Sequence, residues 1–167
     1  ERVGERALPI HYSLDDLLSI MSTLRSENGC NWDKAQTFDT LAPYAIEEAH
    51  EVAEAIAEKN YSHVCDELGD LLLQVVFQAQ IAKEAGLFQF ADVVNAISSK
   101  MVRRHPHVFN QQSALTPEEV SQQWAAIKAQ EQGDKPKRRY LLDAVLSGLP
   151  ALTRAEKLQK QASKVGF

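Results

Sequence analysis

The chain has 167 residues, 44% hydrophobic and 25% charged, with a formal net charge of −5 at pH 7. Those figures suit one globular domain with a real core and exclude the disordered and fibrous classes. The acidic excess argues against a nucleic-acid binder, yet leaves room for an anionic small substrate, because a bound cation reverses the local sign of an acidic site.

Strand signals are nearly absent, and 3.6-residue apolar periods recur along the chain, so the expected class is all-α. Ser13, with Asp16 three residues on, predicts a helix start, and Leu14, Leu17, Leu18 and Met21 form its apolar side. That helix is expected to stop near Asn28-Gly29. Residues 30–39 read as a polar loop. A second helix is expected from about Pro43 to Lys59, with proline accepted in its first turn, and a third from Tyr61 to Ala85, stopped by Gly86. A fourth should run from Phe90 to Arg104, before Pro106. Thr116-Pro117-Glu118-Glu119 announces a fifth, reaching Gln132, and a last spans Ala151 to Lys164. The expectation is one domain over 1–167, with 1–12 an extended tail and 133–140 an exposed basic linker.

Cys30 and Cys65 lie far apart without metal-ligand spacing, which fits a reducing cytosol and no disulfide framework. Glu1 to His11 lacks the apolar centre of a signal peptide, and no segment approaches the ~18 apolar residues of a membrane helix. The expected location is cytoplasmic. Beginning at Glu1 without methionine, the chain reads as a trimmed form of a longer protein.

Two acidic patterns carry the chemistry. Glu48 and Glu51 are three residues apart, as are Glu67 and Asp70, so each pair lies on one helix face. The short break at Lys59-Asn60 makes the two helices antiparallel neighbours. Glu51 is nine residues before Asn60 and Glu67 seven after it, which puts both pairs at similar height at ~1.5 Å per residue. Four such carboxylates cannot all stay ionised uncompensated. A hard divalent cation resolves the conflict, and oxygen-only ligands select Mg²⁺, Mn²⁺ or Ca²⁺ over zinc. On the third helix, Leu68, Leu71, Leu72, Leu73, Val75, Val76 and Phe77 cover most of the circumference. Only Glu67, Asp70, Gln74 and Gln78 form a polar stripe, so the helix is expected to be buried with that stripe facing an interior cleft. The plainer reading makes the glutamates of the second helix a solvated face.

The ordered set Glu47-Glu48-x-x-Glu51, fifteen residues, then Glu67-x-x-Asp70 resembles the signature of the MazG family of nucleoside triphosphate pyrophosphohydrolases. GCNWDKAQTF (29–38), DELGDLLLQVVFQAQ (66–80), RRHPHVF (103–109), the W-x-x-I-K at Trp124 to Lys128 and LPALTRAEKLQKQASKVGF (149–167) are similar to MazG segments too. Two departures stand out. Asn31 occupies the place where the family usually has proline, and longer members carry a second, related domain beyond the point where this chain stops. The resemblance implies an all-α bundle of the NTP pyrophosphatase type, its core completed by homodimerisation. It also implies hydrolysis of NTPs or dNTPs to monophosphate and pyrophosphate. Glu48, Glu51, Glu67 and Asp70 would be ligands of Mg²⁺, with Mn²⁺ as a substitute, and Glu47 would stand beside them, orienting a water.

Cleavage between the α- and β-phosphates needs an aimed water and neutralisation of the leaving pyrophosphate. A carboxylate beside that water, Glu47 or Glu51, serves as base. Arg103 and Arg104, then Lys100 and Lys34, are the candidate phosphate cations; the bland role of the arginines is a basic helix C-terminus. Trp32 either stacks on a base or packs. Gln74 and Gln78 either orient ligands or bond between helices, and His105 and His107 are read as structural. Two alternatives stay open: a non-catalytic nucleotide-binding dimerisation module, and a base-specific relative acting on dUTP, dCTP or phosphoribosyl-ATP. Neither nucleic acid nor membrane is an expected partner.

Overall fold

The structure, a computed structural model, describes residues 11–110, 115–132, 140–145 and 147–166. Among them every regular element is helical: α1 (Leu14–Leu24), α2 (Asn31–Ala35), α3 (Phe38–Ala57), α4 (Tyr61–Glu84), α5 (Phe90–Arg104), α6 (Pro106–Phe109), α7 (Pro117–Gln132), a 3₁₀ turn (Leu141–Ala144) and α8 (Ala151–Ser163). The all-α expectation holds. The chain divides into two compact units, one ending at Lys100 and the other beginning at Met101, inside α5. Most of the expected tail and the expected basic linker lie outside the described residues, although Tyr140 is described and exposed.

In the first unit, Ser13 and Asp16 close the expected box. Ser13 N donates to Asp16 Oδ2 at 2.8 Å and Asp16 N to Ser13 Oγ at 3.2 Å. The first of these bonds, with the Ser13 hydroxyl donating to Asp16 Oδ2 at 2.7 Å, holds the Asp16 carboxyl below its usual range. α1 ends four residues before the expected stop because the chain folds back beneath the last turn, Cys30 N donating to Leu24 O at 2.7 Å. Gly29 permits this, since a Cβ there would lie 2.1 Å from the Leu24 oxygen.

The expected loop at 30–39 is instead the short α2 followed by the start of α3. α3 starts at Phe38, five residues before the Pro43 that reads as a first-turn marker. The signal lies earlier: Thr37 N donates to Thr40 Oγ1 at 2.8 Å and Thr40 N to Thr37 Oγ1 at 3.3 Å. Pro43 therefore sits six positions inside the helix, where it removes one backbone bond. Burial of Leu41 and partial burial of Phe38 against the core offset that loss.

Between α3 and α4 the turn is a Schellman motif, with Lys59 N on Ile56 O and Asn60 N on Ala55 O. It places Lys59 at φ 58, in the left-handed region. The same pattern ends α4 at Gly86, φ 69, with Leu87 N on Ala82 O. The two long helices pack on one another along the hairpin, and α1 packs on α4. Met21, Leu41, Val76, Phe77 and Ile81 form the core.

The expectation that α4 is covered on all sides is corrected. Leu68 is 50% exposed, Leu72 41% and Val75 40%. Among the described residues α3 and α1 pack on this helix, and that apolar strip stays partly open. In the second unit, α7 begins with Thr116 N donating to Glu119 Oε2 at 2.7 Å, and α8 packs on the 3₁₀ turn. Among the described residues no helix is long and apolar enough to cross a membrane.

Candidate metal centre

α3 carries Glu47, Glu48 and Glu51; α4 carries Glu67 and Asp70. Their hairpin brings one carboxylate oxygen each of Glu48, Glu67 and Asp70 within 4.8 Å of one another. Glu51, one turn after Glu48 on α3, is exposed and lies outside that group, acting on Glu48 through its charge. Partial burial, then the charges of Asp70, Glu51 and Glu67, raise the Glu48 carboxyl above the usual carboxylate range. Glu47 is exposed and outside the group of three, because successive helix positions diverge by about 100°.

Glu67 is only 9% exposed. Its Oε1 lies 2.7 Å from His63 Nε2, while its Oε2 is buried without a partner among the described residues. The donor set passes the chemical test for a hard cation: oxygen only, like-charged, with one buried oxygen unclaimed. His63 was not singled out from the sequence, although its spacing from Glu67, four residues on one helix, was there to be read. Gln74 in the same stripe is buried, its Oε1 also unpartnered.

The expected substrate contacts are variously engaged. Trp32 is 55% exposed and meets Tyr44 and Phe77 edge-on, centroids 6.4 and 6.5 Å away. Lys34 Nζ donates to the Glu27 carbonyl at 2.8 Å, and Lys100 is half-buried. Arg103 Nε and Arg104 Nη2 donate to Glu131 at 2.7 and 2.6 Å, which pulls the Glu131 carboxyl down to about 2. In the same unit Arg104 and Lys128 lie over the Trp124 ring, 6.0 and 5.6 Å from its centroid. His105 Nδ1 contacts Met101 O at 2.6 Å and His107 Nδ1 contacts Gln123 Oε1 at 3.1 Å, both within the protein framework.

The sequence also missed Arg25. Its side chain is buried against the Phe77 ring, donates to the carbonyls of Asp33 and Gln36, and pairs with Glu84 at 2.7 Å. It thereby ties the Trp32 segment to the far end of α4. No short motif marks such a residue.

An all-helical domain with an acidic group set into a helical hairpin is the class these observations define. Residues 36–109 match the family described as the MazG nucleotide pyrophosphohydrolase domain. The chain carries a MazG-family domain. It is 52% identical over 155 residues to a nucleoside triphosphate pyrophosphohydrolase of Escherichia coli strain K12, covering 92% of this chain and 59% of that protein. It is 48% identical over 153 residues to a nucleoside triphosphate pyrophosphohydrolase/pyrophosphatase MazG of Thermotoga maritima, covering 92% and 58%. The crystal structure of a mazG-related protein from Thermotoga maritima superposes with a TM-score of 0.59 at 25% identity, covering 70% of this chain and 99% of that one. The chain thus spans about three fifths of the length of the two curated relatives.

Proposed function

We propose that this chain hydrolyses nucleoside triphosphates, ribo or deoxy, to the monophosphate and pyrophosphate, with Mg²⁺ held by Glu48, Glu51, Glu67 and Asp70. The observation that carries this reading is the convergence of Glu48, Glu67 and Asp70 oxygens within 4.8 Å, in a chain with the relatives described above. The bound cation would neutralise phosphoryl oxygens and lower the pKa of a coordinated water.

The chain's own residues supply the rest. Of the two glutamates able to accept a proton from the attacking water, both exposed and outside the group of three, Glu51 is the one whose charge reaches Glu48, which favours Glu51 as base. The water oxygen bonds to the α-phosphorus as the bond to the bridging oxygen breaks, and pyrophosphate leaves with that electron pair. Lys34, Lys100, Arg103 and Arg104 are the proposed charge partners of the phosphates, and Trp32, half open to solvent, of the base. Lys34 and the two arginines would give up or share their present acceptors to do this.

A homodimer completes the core in this reading. Leu68, Leu72 and Val75 on α4, with Val94 and Ile97 on α5, are the exposed apolar residues that support it. Cytoplasmic location is supported by Cys30 and Cys65 being free thiols, and the formal charge of −5 supports nucleotides over nucleic acid as ligands. The natural protein is proposed to carry a second domain, given the relatives' greater length. Pyrophosphate release from a panel of NTPs and dNTPs, with and without Mg²⁺, tests the activity. Binding without release would instead identify a non-catalytic nucleotide module, and turnover of a single base a specialised relative.

A further inference from the structure

Glu67 is held differently from the other members of the acidic group. Its two oxygens have separate fates: Oε1 is 2.7 Å from His63 Nε2, and Oε2 is buried with no protein partner. His63 stands one turn earlier on α4, where its backbone N–H is capped by Asn60 Oδ1 at 3.3 Å. Its side chain is 44% exposed, so the ring is not part of the packed core. It also stands outside the group of three carboxylates.

We propose that His63 is a positioning residue for the divalent cation. Its Nε2–H donates to Glu67 Oε1 and fixes the carboxylate so that Oε2 is the oxygen offered to the ion shared with Glu48 and Asp70. The inference rests on the proposed metal-binding reading and adds the group that orients one ligand.

The physical case runs through the geometry of glutamate. Three torsions separate its backbone from its carboxylate, so an unrestrained Glu67 samples many positions before it meets an ion. An imidazole donor one turn away removes that freedom and saturates one oxygen, leaving the other as acceptor. Imidazole is a poor competitor for a hard cation among carboxylates, and its Nε2 is already engaged, so His63 acts on the ligand and not on the metal. The arrangement also explains why a carboxylate buried this deeply keeps one oxygen with no protein partner.

The test uses the full 167-residue chain with Mn²⁺ as probe, its binding read by electron paramagnetic resonance at pH 8. His63→Ala is expected to weaken Mn²⁺ binding about 10–100-fold. His63→Gln, whose Nε2–H reaches a similar place, is expected to stay within about 3-fold of wild type. Unchanged or tighter binding by His63→Ala overturns the proposal, and so does a glutamine variant as weak as the alanine one. A wild-type chain that binds no Mn²⁺ removes the metal-binding reading itself, a distinguishable failure. Should His63→Ala not fold, the ¹⁵N spectrum of the wild-type imidazole decides: a proton on Nε2 supports the proposal, and one on Nδ1 alone overturns it.

Discussion

Arg25 Nη2 lies 2.7 Å from Glu84 Oε2, joining the end of α1 to the last turn of α4 across fifty-nine residues of sequence. The guanidinium is buried and the carboxylate partly open, so loss of the arginine leaves unpaired carbonyls at Asp33 and Gln36 as well as a lone Glu84. Arg25→Met should cost about 2–3 kcal/mol in urea unfolding, the scale of charged hydrogen bonds lost from a partly buried site. Glu84→Gln should cost clearly less, because its amide still accepts. Equal costs would mean that the carbonyl bonds contribute little.

The carboxylates are expected to separate activity from folding. Glu48→Gln and Asp70→Asn should each lower kcat at least ~1000-fold, about 4 kcal/mol of barrier, with an unchanged helical circular-dichroism spectrum. A collapsed spectrum would make the cluster part of the scaffold.

Mg²⁺ should raise the melting temperature of the wild-type chain, since it binds only where the hairpin has formed. At 100 times its Kd the gain is about 2.7 kcal/mol. In chelator, Glu48→Gln should match or exceed wild-type stability. Its carboxyl is raised by burial and by its acidic neighbours, so ionising it in the folded state is unfavourable as pH rises past the unfolded value. A Glu48→Gln chain less stable than wild type in chelator would contradict this.

Lys59 occupies a left-handed position that glycine adopts freely, as Gly86 does at the end of α4. Lys59→Gly should therefore stabilise the chain by about 0.5–1 kcal/mol, visible as a higher urea midpoint with an unchanged slope. A lower midpoint would show that the lysine side chain contributes more than the backbone conformation costs.

Glu131, held down to about 2 by Arg104 and Arg103, should stabilise its unit with a definite pH dependence. A carboxyl with a depressed folded pKa contributes fully above its unfolded value, near 4.5, and loses that contribution as pH falls toward about 2. The stability difference between wild type and Glu131→Gln should shrink across that window. A constant difference down to pH 2 would refute the pairing.

Local signals made the helices legible. The Ser13 and Thr116 caps, the stops at Lys59-Asn60 and Gly86, and the breaker at Pro106 all act through neighbours within a few residues, so the residues themselves state them. The pairing of two E-x-x-[DE] units across a short turn was legible for the same reason, since helical period and turn length bring their faces together. Side-chain partners across the fold were not legible. Arg25 finds Glu84 only because α1 packs on α4, and α3 starts at Phe38, ahead of Pro43, because the Thr37–Thr40 box and the burial of Leu41 extend it. The exposure of Leu68, Leu72 and Val75 was likewise hidden, because a leucine-rich period says that a face wants cover and not whether one chain supplies it. What the sequence determined alone is therefore periodic and local: an all-helical chain with acidic pairs on adjacent helices. Which of the glutamates meet, how deeply Glu67 is buried, and what remains uncovered were decided by tertiary packing, since each depends on distances between segments that no local rule encodes.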